Sequence, residues 1–263
     1  MIDVNTIGPR IIIYIGKSGK FFITETVVYE FALVIILSAL AIWMGSGLKK
    51  VPKGKQVWAE LFVGWIYKFA EEHMSKKDAE IYAPYLGTLI LWLFFCNSLG
   101  LIGLRPITAD LNATAGMAIL SFLLILFATI RKYGIRGKVS QLCDPYGFMM
   151  PMEIISDLTL PVTLALRLFG NIFGGMIVVD LWLDLMSKLS LMFCSIPILR
   201  CVTVIPLNFF FDMFEPVIQA YVFTILTTAN LGSGLAGISE IKQERLEKKK
   251  KKKEEKRQEA QAA

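Results

Sequence analysis

The stretch Leu158–Val179, LTLPVTLALRLFGNIFGGMIVV, is uncharged at every position except Arg167, which falls within a residue or so of its centre. At ~1.5 Å per residue it is long enough to cross the ~30 Å hydrocarbon core of a bilayer. A guanidinium is then held near the midplane, where an isolated charge costs at least ~2.5–3.5 kcal/mol. With a pKa of ~12 or more it cannot escape that cost by losing its proton. Arg167 therefore needs an acidic or polar partner, and the question is which partner and whether it moves.

The whole chain has the composition such a stretch demands. Its 263 residues are 55% hydrophobic with a mean hydropathy of +0.56, more apolar surface than one soluble core requires. It reads as an all-α integral membrane protein of several helices. The net charge of +6 does not point to nucleic acid, because residues 240–263 alone hold ten Lys/Arg against six acids. Cys96, Cys143, Cys194 and Cys201 lack C-x-x-C spacing and His73 is the single histidine, so no disulfide framework, metal site or cofactor is expected. No Gly-rich loop ending in Lys-Ser/Thr is present, so no nucleotide site is expected either. The first long apolar run begins near Val27, too far in for a cleavable signal peptide.

Outward from Arg167, the spans follow from length and charge. Residues 1–25 read as an external arm whose run Ile11–Ile15 is too short to cross anything. Thr26–Leu48, Ile81–Leu104 and Leu111–Ile130 are spans one to three. Lys53–Glu80 carries Trp58, Leu61, Phe62, Trp65, Ile66 and Phe69 at helical spacing among charges, which predicts an amphipathic helix on the membrane surface. Arg105–Thr114 is a polar hairpin in which Asp110 or Thr108 can cap the next helix, a role for Asp110 that competes with one in ion access. Leu158–Val179 is the fourth span. A turn around Ser195–Arg200 then leads into one long last helix ending near Gly237, within a membrane domain spanning 26–238. Residues 239–263 form a Lys/Glu-rich tail expected to be disordered, its Lys248–Lys253 run either simply solvated or bound to anionic headgroups of membrane lipids.

Basic residues set the orientation. Lys49–Glu80 holds seven, Arg131–Ser140 four and the tail ten. Five spans with the N-terminus outside and the C-terminus cytoplasmic put all of them inside.

Polar residues sit at spaced positions on the last two helices. Glu153 lies ~21 Å before Arg167 on a straight helix, and Asp180 ~20 Å after it, with Asp184 one turn further on. A fixed cation between carboxylates at both ends suggests two aqueous half-paths that do not meet. On the last helix Asp212, Glu215 and Gln219 fall at i, i+3 and i+7, and Pro216 can kink that face. The competing reading is that Glu215 or Asp212 pairs with Arg167 and glues two helices together. Gly170, Gly174 and Gly175 admit close approach, either by a neighbouring helix of the chain or by a ring of helices.

The run Leu164–Asn171 (LALRLFGN) resembles the signature of subunit a of F-type ATP synthases, the membrane stator beside the rotating c-ring. Pro106–Thr114 is similar to that family's P-x-A-D-x-N-x-T hairpin, Pro151–Ser156 to its acidic lead-in, and Ile218–Thr224 to its last-helix Q-A-x-x-F motif. The resemblance runs in order over residues 25–238 and implies a five-span proton-channel subunit of the bacterial inner membrane, its last two helices forming a long hairpin beside the c-ring. It implies a b-subunit stator stalk and other synthase subunits as partners, and no enzyme activity of the subunit alone. Arg167 would face the c-ring carboxylate, keep it ionised and block a leak between two offset half-channels. Asn171 and Gln219 would orient the arginine, Glu153 would serve the cytoplasmic half-channel, and Asp110 with Asn112 would lie near the outer entrance. Relatives often carry an acidic residue or histidine where this chain has Met176. Asp212, helped by Asp180 or Glu215, is expected to relay the proton instead. The rival function is a self-contained secondary transporter binding an anionic substrate at Arg167, but no internal repeat of the kind such folds show is present.

Overall fold

The computed structural model describes residues 11–15, 21–142, 150–193 and 198–236. Five of its helices are long and apolar enough to cross a membrane. The arm contains one antiparallel hairpin, β1 (Ile11–Ile15) with β2 (Phe21–Thr24), paired Ile11 to Thr24 and Ile15 to Phe21. Runs of β-branched and aromatic residues favour strands; the arm was otherwise unassigned from sequence. The turn predicted at Ser195–Arg200 lies mostly outside the described residues, as does the tail.

Helix α1 (Glu25–Gly45) is the first span, and only Thr26 and Leu33 are buried on it. Phe31, Ile35, Ile42 and Trp43 stay exposed, the pattern of a helix bathed by lipid. Lys55 donates to the Trp43 carbonyl at its end and to Ser46 Oγ (3.0 Å), and Gln56 clasps the main chain of Lys49 through two hydrogen bonds (2.8 and 2.9 Å). Those bonds fix the start of α2 (Lys55–Glu71). Ile66, Phe69 and Ala70 face the protein, Trp58, Leu61 and Trp65 are exposed, and Glu60 and Glu71 occupy a third sector. A helix with separate protein, lipid and water faces suits the membrane surface predicted for it. It is shorter than expected, because Lys76–Glu80 belong to α3 (Lys76–Asn97).

From α3 the chain passes through 3-10 turns at Ser98–Ile102 and Ile107–Ala109 into α4 (Leu111–Leu142), which bends at Gly134. Asp110 caps α4, its Oδ1 accepting the Asn112 N–H at 3.0 Å. Helix α5 (Met150–Phe193) runs 44 residues without interruption, about 66 Å at the helical rise. It therefore extends beyond Leu158–Val179 at both ends, and Asp180 and Asp184 do not end it. Helix α6 begins at Ile198, passes through a π turn at Phe210–Phe214 and continues to 236. The π turn lies directly before Pro216, which has no N–H to give and whose ring crowds the carbonyl of Asp212.

Leu89 and Leu93 of α3, Ala118 of α4, Leu164, Ala165 and Leu168 of α5, and Ala220 and Phe223 of α6 form the central core. Thr224, Thr227 and Thr228 are buried beside it and satisfy their hydroxyls on carbonyls four residues back (2.7–2.9 Å). At one end of the bundle Lys132 pairs with Asp78 (2.6 Å) and Tyr133 donates to the Leu235 carbonyl. There a Cβ on Gly232 would overlap the carbonyl oxygen of His73. Backbone cannot swing aside as a side chain does, so Gly232→Ala is expected to destabilise the fold by about 1–3 kcal/mol. Thermal unfolding of the detergent-solubilised protein reads this directly; an unchanged midpoint would refute the contact.

Candidate ion path

Arg167 is partly exposed while its neighbours Leu164, Ala165 and Leu168 are buried. The packing of α5 against α3, α4 and α6 leaves outward a stripe of Thr159, Thr163, Arg167, Gly170, Asn171 and Gly174. No atom lies within 4 Å of a Cβ built on Gly170 or Gly174, whereas one on Gly175 would stand 2.8 Å from the Phe211 ring. Thus Gly175 serves packing within the chain and the other two do not. A polar, small-residue stripe at membrane depth is uncovered.

Among the described residues no ion pair reaches Arg167; the three pairs present are Lys132–Asp78, Lys138–Asp157 and Lys188–Asp184. This replaces the reading in which Asp212 or Glu215 neutralises it. Four residues along α5, Asn171 Nδ2 donates to Gln219 Oε1 at 2.8 Å. Gln219 is 2% exposed and its Nε2 finds no partner, an unspent donor near the arginine.

Cavities lie on either side of this bond. Toward the Glu153 end, a cavity of about 330 Å³ runs along Thr159, Thr163 and Arg167. A second, of about 150 Å³, is lined by Lys138, Glu153 and Asp157. Ser156, Leu160 and Asn230 line both, so the two adjoin along α5 between Glu153 and Arg167. Toward the other end a cavity of about 180 Å³ is bounded by Asn97, Met176, Asp180, Asn208, Asp212 and Glu215. It shares no lining residue with the first two. Each has room for several waters.

Three of the carboxylates singled out from sequence, Asp180, Asp212 and Glu215, are thus brought to one cavity, together with Met176. Gly100 lets the 3-10 segment press on Asp212: a Cβ there would stand 2.5 Å from Oδ1. Asp184 is not with them, being exposed and paired with Lys188 at 2.7 Å. Asp110 and Asn112 do not line the cavity; Asp110 is spent on capping, and Asn112 is exposed. Asn97 was missed. It is 1% exposed, its Oδ1 accepts the Thr108 hydroxyl, and its Nδ2 has no partner while the residue lines the cavity. An Asn in the uncharged, largely apolar Ile81–Leu104 run was the available signal. Asn230 and Lys138 at the other end were also missed.

The architecture is that of a polytopic helical membrane protein with an arginine that meets no acid among the described residues, set between separate polar cavities. Residues 27–231 match the ATP synthase A chain family. The chain is 34% identical to ATP synthase subunit a of Solidesulfovibrio magneticus, over 81% of this chain and 85% of that one. It is 32% identical to that of Moorella thermoacetica, over 83% and 94%. A third relative, from Propionigenium modestum, is named as a sodium ion specific subunit a and is 29% identical over 79% and 72%. The chain belongs to the ATP synthase A chain family, membrane subunits of the ATP synthase complex.

Proposed function

We propose that this chain is the proton-translocating stator subunit of an F-type ATP synthase, with Arg167 separating two half-channels that meet only through a moving rotor carboxylate. The observation that carries this reading is the partly exposed Arg167, with no acidic partner among the described residues, on an uncovered stripe between cavities that do not join.

The cavity with Asp180, Asp212 and Glu215 is the outer half-channel and the one from Glu153 to Arg167 the cytoplasmic half-channel. The Lys132–Asp78 and Tyr133–Leu235 contacts support this orientation, because they gather the basic-rich ends of α3, α4 and α6 on one side. A proton entering from outside protonates Asp212, which passes it to an ionised carboxylate of the c-ring. That neutral carboxyl can rotate through lipid. Returning on the other side, it meets Arg167, whose charge favours the ionised form, and its proton leaves through the cavity to Glu153. Asn171 and Gln219 hold the helices in register beside the arginine. The b-subunit stalk and the other subunits fix the chain against the ring's torque.

The c-ring contact is tested by Gly170→Cys in a complex whose native cysteines are replaced by serine. Oxidation is expected to cross-link it to a cysteine placed beside the rotor carboxylate. Cross-linking absent there, but present from the opposite face of α5, would overturn the assignment.

A further inference from the structure

Beyond Gly134, where the backbone takes φ 75° and ψ 168°, α4 brings Lys138 against α5. Lys138 Nζ lies 2.7 Å from Asp157 Oδ2, the two side chains being 15% and 35% exposed. Both line the cavity that Glu153 also lines. On α5, Glu153 and Asp157 stand at i and i+4, so their carboxylates project from one face with Cβ atoms about 5–6 Å apart. Among the described residues the mouth thus holds two acids and one base, and the base is committed to the acid nearer Arg167 along the helix. The remaining polar liners, Ser156, Asn230 and Ser233, are neutral, and Asn230 Nδ2 is spent on the Leu226 carbonyl at 2.7 Å.

Adjacent carboxylates with no cation between them repel, so a proton reaching one is held more tightly than by a lone acid. An ion arriving at such a pair is held rather than released. A lysine facing only Glu153 would be equally obstructive, because it would pair with the acceptor itself. The observed arrangement avoids both conditions.

We propose that Lys138 is a positioning residue for proton exit: by pairing with Asp157 it leaves Glu153, among the described residues, as the free acceptor at the cytoplasmic mouth. The inference rests on reading this cavity as the cytoplasmic half-channel. Removing both charges would spare a simple strut between α4 and α5 as well; the demand peculiar to proton exit is that each single variant assembles with an unchanged thermal midpoint while pumping slows.

The test is ATP-driven proton pumping in membrane vesicles carrying Lys138→Gln, Asp157→Asn or both, with co-purification of the complex as the assembly check. Each single variant is expected to pump about fivefold or more slowly, within the coupling range of residues in contact. The double variant, with Glu153 again the only charge, is expected to recover most of the rate. Single variants that fail to assemble, or whose thermal midpoint falls along with the pumping rate, would identify a strut, and a double variant as slow as the slower single would remove the charge balance; either result overturns the proposal. Glu153→Gln and Arg167→Ala run alongside separate the two levels of inference. If both of these pump normally the half-channel reading itself fails; if both are inactive and the double variant is not rescued, only the role of Lys138 falls.

Discussion

Arg167→Ala is expected to abolish ATP-driven proton pumping, by at least about a hundredfold, while the complex still assembles. The scale follows from Coulomb's law: unit charges about 4 Å apart at an effective dielectric of about 20 interact by about 4 kcal/mol, roughly a thousandfold in the ionisation equilibrium of a facing carboxylate. Without that charge the rotor carboxyl keeps its proton opposite the cytoplasmic cavity and turnover stops. On the proposed mechanism, loss of the fixed cation also removes the barrier between the two half-channels, so passive proton conductance of vesicles stripped of the catalytic sector is expected to rise. The substitution leaves the core largely alone, because Arg167 is partly exposed and its buried neighbours Leu164 and Leu168 are unchanged. Co-purification of the c-ring with the variant checks this. Normal pumping by an assembled Arg167→Ala complex would return the arginine to a structural role.

Asp212→Asn is the second large effect. The amide keeps the volume and the close approach to Gly100 but cannot carry a proton, so pumping is expected to fall at least about tenfold, less than the roughly hundredfold typical of a lone acid–base group because Asp180 and Glu215 share the cavity. Asp180→Asn and Glu215→Gln are expected to cost less, since each would leave Asp212 and one further carboxylate on the same cavity. Met176 supplies the sharper control. It lines the same cavity, so Met176→Glu in the Asp212→Asn background is expected to restore part of the rate by returning a proton carrier to the same water. Unchanged pumping by an assembled Asp212→Asn complex, measured as acidification of vesicles, would remove Asp212 from the path.

Much of this was legible before any coordinates. Five spans and a surface helix follow from apolar length and from charges interrupting the Trp58–Phe69 pattern, and hydrophobic burial in lipid enforces both. Capping by Asp110 was one of two open readings and proves to be the observed one. The extent of α5 was not legible. Asp157, Asp180 and Asp184 look like helix ends in a one-dimensional pattern, yet backbone hydrogen bonding carries the helix through them, with Asp157 and Asp184 paired to lysines. Nor does a 3.6-residue wheel apply across residues 210–214, where the π turn changes the register between Asp212 and Gln219. Glu215 lines the cavity with Asp212, while Gln219 turns to Asn171.

The sequence by itself determined that this is a membrane protein of five spans, that one arginine lies at the centre of an otherwise uncharged stretch, and which family its motifs join. Those properties depend on local composition and on residues near one another in the chain. Only the tertiary structure decided that Arg167 meets no acidic partner among the described residues, that Asn97 reaches the cavity of Asp212, and that Lys138 answers Asp157. Each of these joins residues on different helices. Which faces meet is set by side-chain packing and close glycine contacts across the bundle, whose free energy no local pattern records.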